Sequence, residues 1–163
     1  MKQLFLIRHA KSDWSTSLSD YYRPLNQRGL RDAPKMGKRI RGLFGSPDLI
    51  ISSGAKRALH TAELFAKELE FDVKNIHQND QLYHASLQDI IEVVQGIDEQ
   101  FETAMLFSHN PGISHTVYSL TDHYVDMKTA CVVGIKKDTN SWQDFRPGKC
   151  QSFTHLSPKD NLN

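Results

Sequence analysis

Leu4, Phe5, Leu6 and Ile7 form an unbroken apolar run, the pattern of a strand buried on both faces. Polar and turn-forming residues follow from Lys11 to Asp20. The period then becomes helical: Leu30, Ala33, Met36, Gly37, Ile40 and Leu43 share a side, Asn26 can cap the helix, and Gly45-Ser46-Pro47 stops it. Pro34 should kink this helix or delay its regular part. Asp48 to Ser52 reads as a second buried strand, with Leu49, Ile50 and Ile51 at its centre. Ser53 can cap a second helix whose apolar face is Ala58, Leu59, Ala62, Phe65, Ala66 and Leu69. Val73 to Ile76 predicts a short third strand, Leu87 to Val94 a third helix, and Thr103 to Phe107 a fourth strand. Ser108-His109-Asn110-Pro111-Gly112 turns the chain into a helix near Ile113 to Leu120. Ala130 to Ile135 and Cys150 to Leu156 predict two late strands, joined by a hairpin-like segment carrying Asn140, Pro147 and Gly148.

Strands alternate with helices through most of the chain. That order predicts an α/β fold of three layers, α/β/α, around a mainly parallel central sheet. A length of 163 residues fits one domain and one core, spanning 1–163. In such sheets ligands bind beyond the carboxyl ends of the strands.

Composition narrows the function little but excludes some classes. Apolar residues make up 39% and charged residues 24%, an ordinary globular balance. The net charge of +1 gives no global field for nucleic acid or an anionic membrane, so a bound anion must be held by a few placed cations. Cys131 and Cys150 lie in apolar stretches outside any CxxC pattern and read as two buried thiols without a disulfide. The first apolar run is too short for a signal sequence or a membrane span, which makes cytoplasmic residence the default expectation. No HExxH, Walker-type loop or GxSxG elbow is present.

The chemistry collects at three predicted carboxyl ends. Arg8 and His9 follow the first strand, Ser52, Ser53 and Arg57 follow the second, and Ser108 and His109 follow the fourth. In a parallel sheet these converge, although each has a bland reading alone: a surface pair, a solvated helix arginine, a capped turn. Guanidinium forks match phosphate oxygens in geometry and charge. A neutral imidazole is a competent nucleophile near neutral pH, and a second imidazole can stabilise transition-state charge.

These residues resemble a known family. Leu6-Ile7-Arg8-His9-Ala10 is similar to the Arg-His-Gly signature of the histidine phosphatase superfamily, the phosphoglycerate mutase-like fold, with Ala10 in place of the usual Gly. The run Arg8 to Trp14 resembles the short SixA-type phosphohistidine phosphatases. So do Arg23-Pro24-Leu25 followed by Gly29, Ser52 to Ala58 followed by Thr61-Ala62, and Ser108 to Gly112. The resemblance implies that His9 accepts the phosphoryl group, that Arg8, Arg57 and His109 hold its oxygens, and that no cofactor or metal is needed. It also brings Ser15, Lys11, Arg23, His84 and Asn110 forward as phosphate- or substrate-binding candidates. Gly54 stands where Pro is common, and both suit a helix start.

One departure bears on the substrate. Mutase-like relatives carry a carboxylate in a Leu-x-Glu context that protonates the leaving oxygen, and the matching stretch here is Leu82-Tyr83-His84. His84 stands in its place, and Asp80 is the nearest carboxylate. A phosphomonoester needs a general acid, whereas phosphohistidine leaves as readily protonated imidazole. The expected function is therefore dephosphorylation of phosphohistidine on a protein, by a chain that can act as a monomer. The alternatives are a phosphomonoesterase or mutase acting on a small metabolite, and a non-catalytic phosphate-binding module. Short connections leave no room for a cap between the second and third strands. Trp14 is expected to anchor its loop. The sequence leaves open whether the segment from Lys136 to Pro147 covers the pocket.

Overall fold

The structure is a computed structural model and describes residues 1–160. Its elements are β1 (Lys2–Arg8), α1 (Gln27–Phe44), β2 (Leu49–Ser52), α2 (Lys56–Glu68), β3 (His77–Gln78), α3 (Leu87–Gln95), β4 (Thr103–Ser108), α4 (Gly112–Thr121), β5 (Val132–Lys137) and β6 (Gln151–Leu156). The six strands form one sheet in the order β3-β2-β4-β1-β5-β6. β1, β2, β3 and β4 pair in parallel, and β5 runs antiparallel to both β1 and β6.

Alternation along β1 builds the layers. Leu4 and Leu6 join one apolar cluster with Ile90, Val94, Ile113, Val117 and Leu120, so α3 and α4 cover that face. Phe5 and Ile7 point the other way, into a cluster with Ala33, Met36, Ile40, Ala62 and Phe65 of α1 and α2. The fold is the expected three-layer α/β/α arrangement. Register places Arg8 opposite Ser108 and Ser52 opposite Phe107, so three strands end together at one edge.

Several local expectations are corrected. α1 neither breaks nor starts late at Pro34; it runs eighteen residues from its Asn26 cap, whose side chain accepts from Gly29 N–H at 2.9 Å. The carbonyl that Pro34 cannot bond belongs to Leu30, on a partly exposed face where water can reach it. Leu30 and Leu43 are 44% and 57% exposed and lie outside the buried face of Gly29, Asp32, Ala33, Met36, Gly37 and Ile40. Val73 to Ile76 is a 3₁₀ turn over Val73–Asn75, and the edge strand β3 forms one step later, with His77 paired to Ile51. Ser53 does not cap α2; the N-cap position is Ala55, whose N–H donates to Ser53 Oγ at 3.2 Å. Gly54 matters more than a helix start requires, because a Cβ there would lie 2.2 Å from both Asp80 Oδ1 and the Tyr21 hydroxyl. Both cysteines are free; Cys131 is buried, but Cys150 is only half-buried at the margin of the core.

The segment from Lys136 to Pro147 lies at the amino-terminal edge of β1 and β4. Trp142 Nε1 donates to the Phe101 carbonyl at 2.9 Å, and buried Lys2 Nζ donates to the carbonyls of Glu99 and Phe101 at 2.6 and 2.9 Å. It is therefore at the opposite edge from Arg8 and His109. Another stretch closes the near edge: Ala130 N–H donates to the carbonyls of Arg8 and His9 at 3.1 and 3.0 Å. Among the described residues no helix is long and apolar enough to cross a membrane.

Candidate active site

β1 delivers Arg8 and His9, the first turn of α2 delivers Arg57, and the turn after β4 delivers His109. The rings of His9 and His109 lie 5.2 Å apart, centroid to centroid, although the residues are a hundred positions apart in sequence. All three of His9, Arg57 and His109 are buried. Their grouping follows from the parallel strands, which end at one level, and from helices that start there with N–H groups facing the same space.

Hydrogen bonds fix each ring. His9 Nδ1 lies 2.7 Å from the Ala10 carbonyl and must donate to it, which leaves the Nε2 lone pair free. His109 Nε2 lies 2.9 Å from Ser53 Oγ. Among the described residues Nε2 is the one acceptor in reach of the Ser53 hydroxyl proton, so that proton is assigned to Nε2 and the ring proton to Nδ1. His109 Nδ1 has no partner, and neither do Arg8 Nε and Arg57 Nε. These are three of the four buried, unpartnered side-chain polar atoms among the described residues, and all three belong to this one site. Buried donors without acceptors are costly, and an anion with several oxygens would satisfy them together.

The electrostatics keep the imidazoles neutral. Burial lowers the His9 pKa well below its ordinary value; His109, Arg57 and Arg8 lower it further, against the opposing Ala10 carbonyl. Burial, then the Arg57 charge, brings His109 down to about 3. Burial also lowers the Arg8 guanidinium from its ordinary value.

The structure adds Asp20, which the sequence reading passed over. It opens a 3₁₀ turn, Asp20–Tyr22. Its carboxylate accepts from Arg23 at 2.8 Å, from Arg57 at 3.0 Å and from the Tyr83 hydroxyl at 2.6 Å, and its carbonyl accepts from Arg57 at 2.7 Å. Burial works to raise the Asp20 carboxyl, but the Tyr83 and Arg23 hydrogen bonds and the Arg57 charge hold it well below the usual carboxylate range. Ser53 and Tyr83 were also not foreseen in these roles. The only local sequence sign of Asp20 is its spacing of three residues from Arg23.

The other candidates divide. Arg23 is buried, donates to Ser12 Oγ and carries the Trp14 ring over its guanidinium at 3.7 Å. Trp14 is 73% exposed, so it covers Arg23 and does not anchor the loop in the core. Lys11 lines the same cavity as Arg8, His9 and Arg23. Ser15 does not reach it: its N–H and hydroxyl both bond Asp13 at 2.8 and 2.6 Å in a local turn that carries it outward. Asn110 lines the site, but its amide is spent on the Met127 carbonyl and Ser114 hydroxyl, at 2.9 and 2.7 Å. His84 is an exposed rim residue, 4.0 Å from Asp20. Asp80 faces away, accepting from Gly54 N–H at 2.9 Å and from Tyr21.

Two cavities meet here. The smaller, about 180 Å³, is lined by Arg8, His9, Lys11, Arg23, Arg57 and His109 among others. The larger, about 610 Å³, is lined by Asp20, His84, Ser86 and His115, and shares Arg57, His109 and Asn110 with the first. Among the described residues no group of three His, Cys, Asp or Glu side chains is placed to hold a metal ion.

A family model for the histidine phosphatase superfamily (branch 1) matches residues 4–121, and the chain belongs to that superfamily. Its sequence is 30% identical over 152 residues to an uncharacterized chloroplastic protein of Arabidopsis thaliana, At3g52155, a match covering 88% of this chain and 70% of that protein. In fold it is similar to the protein histidine phosphatase SixA complexed with tungstate, with a TM-score of 0.83, 19% identity, and 96% of this chain and 97% of that one covered. It is also similar, with a TM-score of 0.71 and 16% identity, to a structure assigned to an alpha-ribazole-5'-P phosphatase from Escherichia coli, covering 99% of each chain.

Proposed function

We propose that the protein is a phosphatase that takes a phosphoryl group from phosphohistidine on a protein, through a phosphohistidine intermediate at His9. The observation that carries this is that Arg8, Arg57 and His109, each with a buried, unpartnered nitrogen, line one cavity with a neutral His9 whose Nε2 is free. His9 Nε2 attacks phosphorus while the leaving group departs in line. The guanidiniums and the neutral His109 Nδ1–H hold the equatorial oxygens, and the two arginine charges offset the phosphoryl charge without a metal. Water then attacks phosphorus, the bond to Nε2 breaks with its electron pair returning to the ring, and both water protons leave with the phosphate or pass to solvent.

The substrate assignment rests on the leaving-group side. His84 occupies the position of the relatives' carboxylate and Asp80 is turned away, so this stretch offers no carboxylic acid to a departing alkoxide. Only α2 and one 3₁₀ turn lie between β2 and β3, with no inserted cap, and the larger cavity of about 610 Å³ has room for a side chain of another protein. The resemblance in fold to the Escherichia coli structure favours a second reading, a small phosphorylated metabolite. Hydrolysis of a phosphohistidine peptide beside p-nitrophenyl phosphate, with His9→Ala as control, separates them. Preference for the peptide and loss of both activities in the variant are expected; preference for the ester overturns the substrate assignment, and tight phosphate binding without turnover overturns the enzyme.

A further inference from the structure

In-line transfer places nucleophile and leaving group on opposite sides of phosphorus. His9 lines only the smaller cavity, Asp20 only the larger, and Arg57 and His109 line both. A phosphoryl group held by Arg57 and His109 therefore meets His9 from the smaller cavity and releases its leaving group into the larger one. Asp20 is the one carboxylate among the described residues lining that larger cavity. Its side chain is 41% exposed, so a substrate can touch it, and its bonds to Arg23, Arg57 and Tyr83 hold it in place.

A fixed anion on this side treats two classes of substrate differently. An ester oxygen gains negative charge as it departs and would do so against a carboxylate that has no proton to give. A phosphoramidate whose leaving group is protonated on its other nitrogen arrives as a cation and departs neutral, with no proton donor required. We propose that Asp20 is a specificity-determining residue whose carboxylate pairs with the cationic leaving group of a phosphoramidate, the ring of phosphohistidine protonated on its remaining nitrogen, and selects it over phosphomonoesters. This rests on the reading of His9 as nucleophile. In the step, the His9 Nε2 lone pair bonds to phosphorus, the phosphorus–nitrogen bond of the substrate breaks, and its electron pair stays on the departing ring. That ring keeps its one proton and leaves as neutral imidazole. The positive charge passes to phosphorylated His9, whose Nδ1 proton already points at the Ala10 carbonyl.

The assignment has a pH signature. A free imidazole titrates near ~6.5, and an opposite charge within a few ångströms raises such a value by about 1–3 units. The groups that face Asp20 are Arg23 from its own turn, Arg57 of α2, Tyr83 and His84 ahead of α3, and His109 after β4. All but the ring of the bound substrate are present with either substrate class, so the comparison between substrates isolates the ring.

The test is Asp20→Asn, which keeps an acceptor oxygen and removes the charge, with Asp20→Glu as the rescue. For phosphohistidine peptide, kcat/KM at pH 8 should fall about tenfold or more, and the alkaline limb of kcat should move down by about one unit. For p-nitrophenyl phosphate, which loses the same Asp20–Arg57 ion pair but carries no cationic ring, kcat/KM should fall at least several-fold less than for the peptide. Asp20→Glu should recover most of the peptide preference. Equal losses on both substrates, an unmoved alkaline limb or no rescue by Glu overturns the role of Asp20 while leaving an active, His9-dependent phosphatase intact. A wild-type protein inactive on both substrates, or a His9→Ala variant that keeps activity, overturns the reading of His9 and the role of Asp20 with it.

Discussion

Replacing Arg57 by Ala separates what the site gives to function from what it gives to stability. Arg57 donates twice to Asp20, keeps an unpartnered Nε and lines the smaller cavity. Removing one preorganised donor from a transition-state anion costs about 3–4 kcal/mol, so kcat/KM on the phosphohistidine peptide should fall about 10²–10³-fold. The stability side works out differently. Two charge-assisted hydrogen bonds are lost, worth about 1.5–3 kcal/mol each in general. A buried cation is lost with them, and its desolvation and its repulsion from Arg8 both oppose folding. Asp20 meanwhile keeps Arg23 and Tyr83 as partners. These contributions largely offset, so the unfolding free energy should change by less than about 1.5 kcal/mol. Initial rates and urea unfolding of the same preparation test both halves. A loss of activity below about tenfold, or one confined to KM, refutes Arg57 as a transition-state ligand. A stability loss above about 4 kcal/mol would make the residue chiefly structural.

Three further outcomes follow from the same geometry. With His9 and His109 held below their ordinary values, the unfolded chain binds more protons than the folded one. Stability should therefore be complete above about pH 6.5 and decline on acidification toward pH 3 at up to about 1.4 kcal/mol per unit per histidine; urea titrations at pH 7 and 5 should show this, with a smaller slope in His109→Gln. Gly112→Ala puts a Cβ 2.1 Å from the Ala85 carbonyl, a backbone atom that cannot turn aside, and should cost about 1–3 kcal/mol by denaturant midpoint. Lys2→Met leaves the Glu99 carbonyl without its side-chain donor and the Phe101 carbonyl with Trp142 Nε1 alone at the far edge of the sheet, so stability should drop by about 1–3 kcal/mol while kcat/KM stays within about twofold.

Burial on both faces made β1, β2 and β4 readable, since Leu4 to Ile7, Leu49 to Ile51 and Ala104 to Phe107 leave no polar position to confuse the pattern. With those strands placed, Arg8, His9, Arg57 and His109 could be assigned to one edge from sequence. The edge strand was not readable: its residues His77 and Gln78 are exposed, and the apolar Val73 and Ile76 beside them pack from a turn. Leu30 misled because it sits about 90° around α1 from the centre of the buried arc, near enough to fit a helical period and too far to be covered. Asp20 was illegible for another reason. It belongs to a polar stretch that looks solvated, and its partners Arg57 and Tyr83 lie 37 and 63 residues away. Nothing in local pattern records a contact of that separation. Ser15 shows the converse, a residue promoted by resemblance and withdrawn by a two-residue turn onto Asp13.

The matched family region ends at residue 121, and it already contains every side chain proposed to touch phosphorus. Yet the carbonyls of Arg8 and His9 are pinned by the amide of Ala130, and the Arg8 guanidinium by the Met127 carbonyl at 3.0 Å. A fragment stopping at the boundary would carry the reactive atoms without the braces on Arg8 and the carbonyls of Arg8 and His9. Synthesis of this chain thus completes its chemistry before its scaffold, and competence waits for the last quarter of the polypeptide to dock beside the first strand.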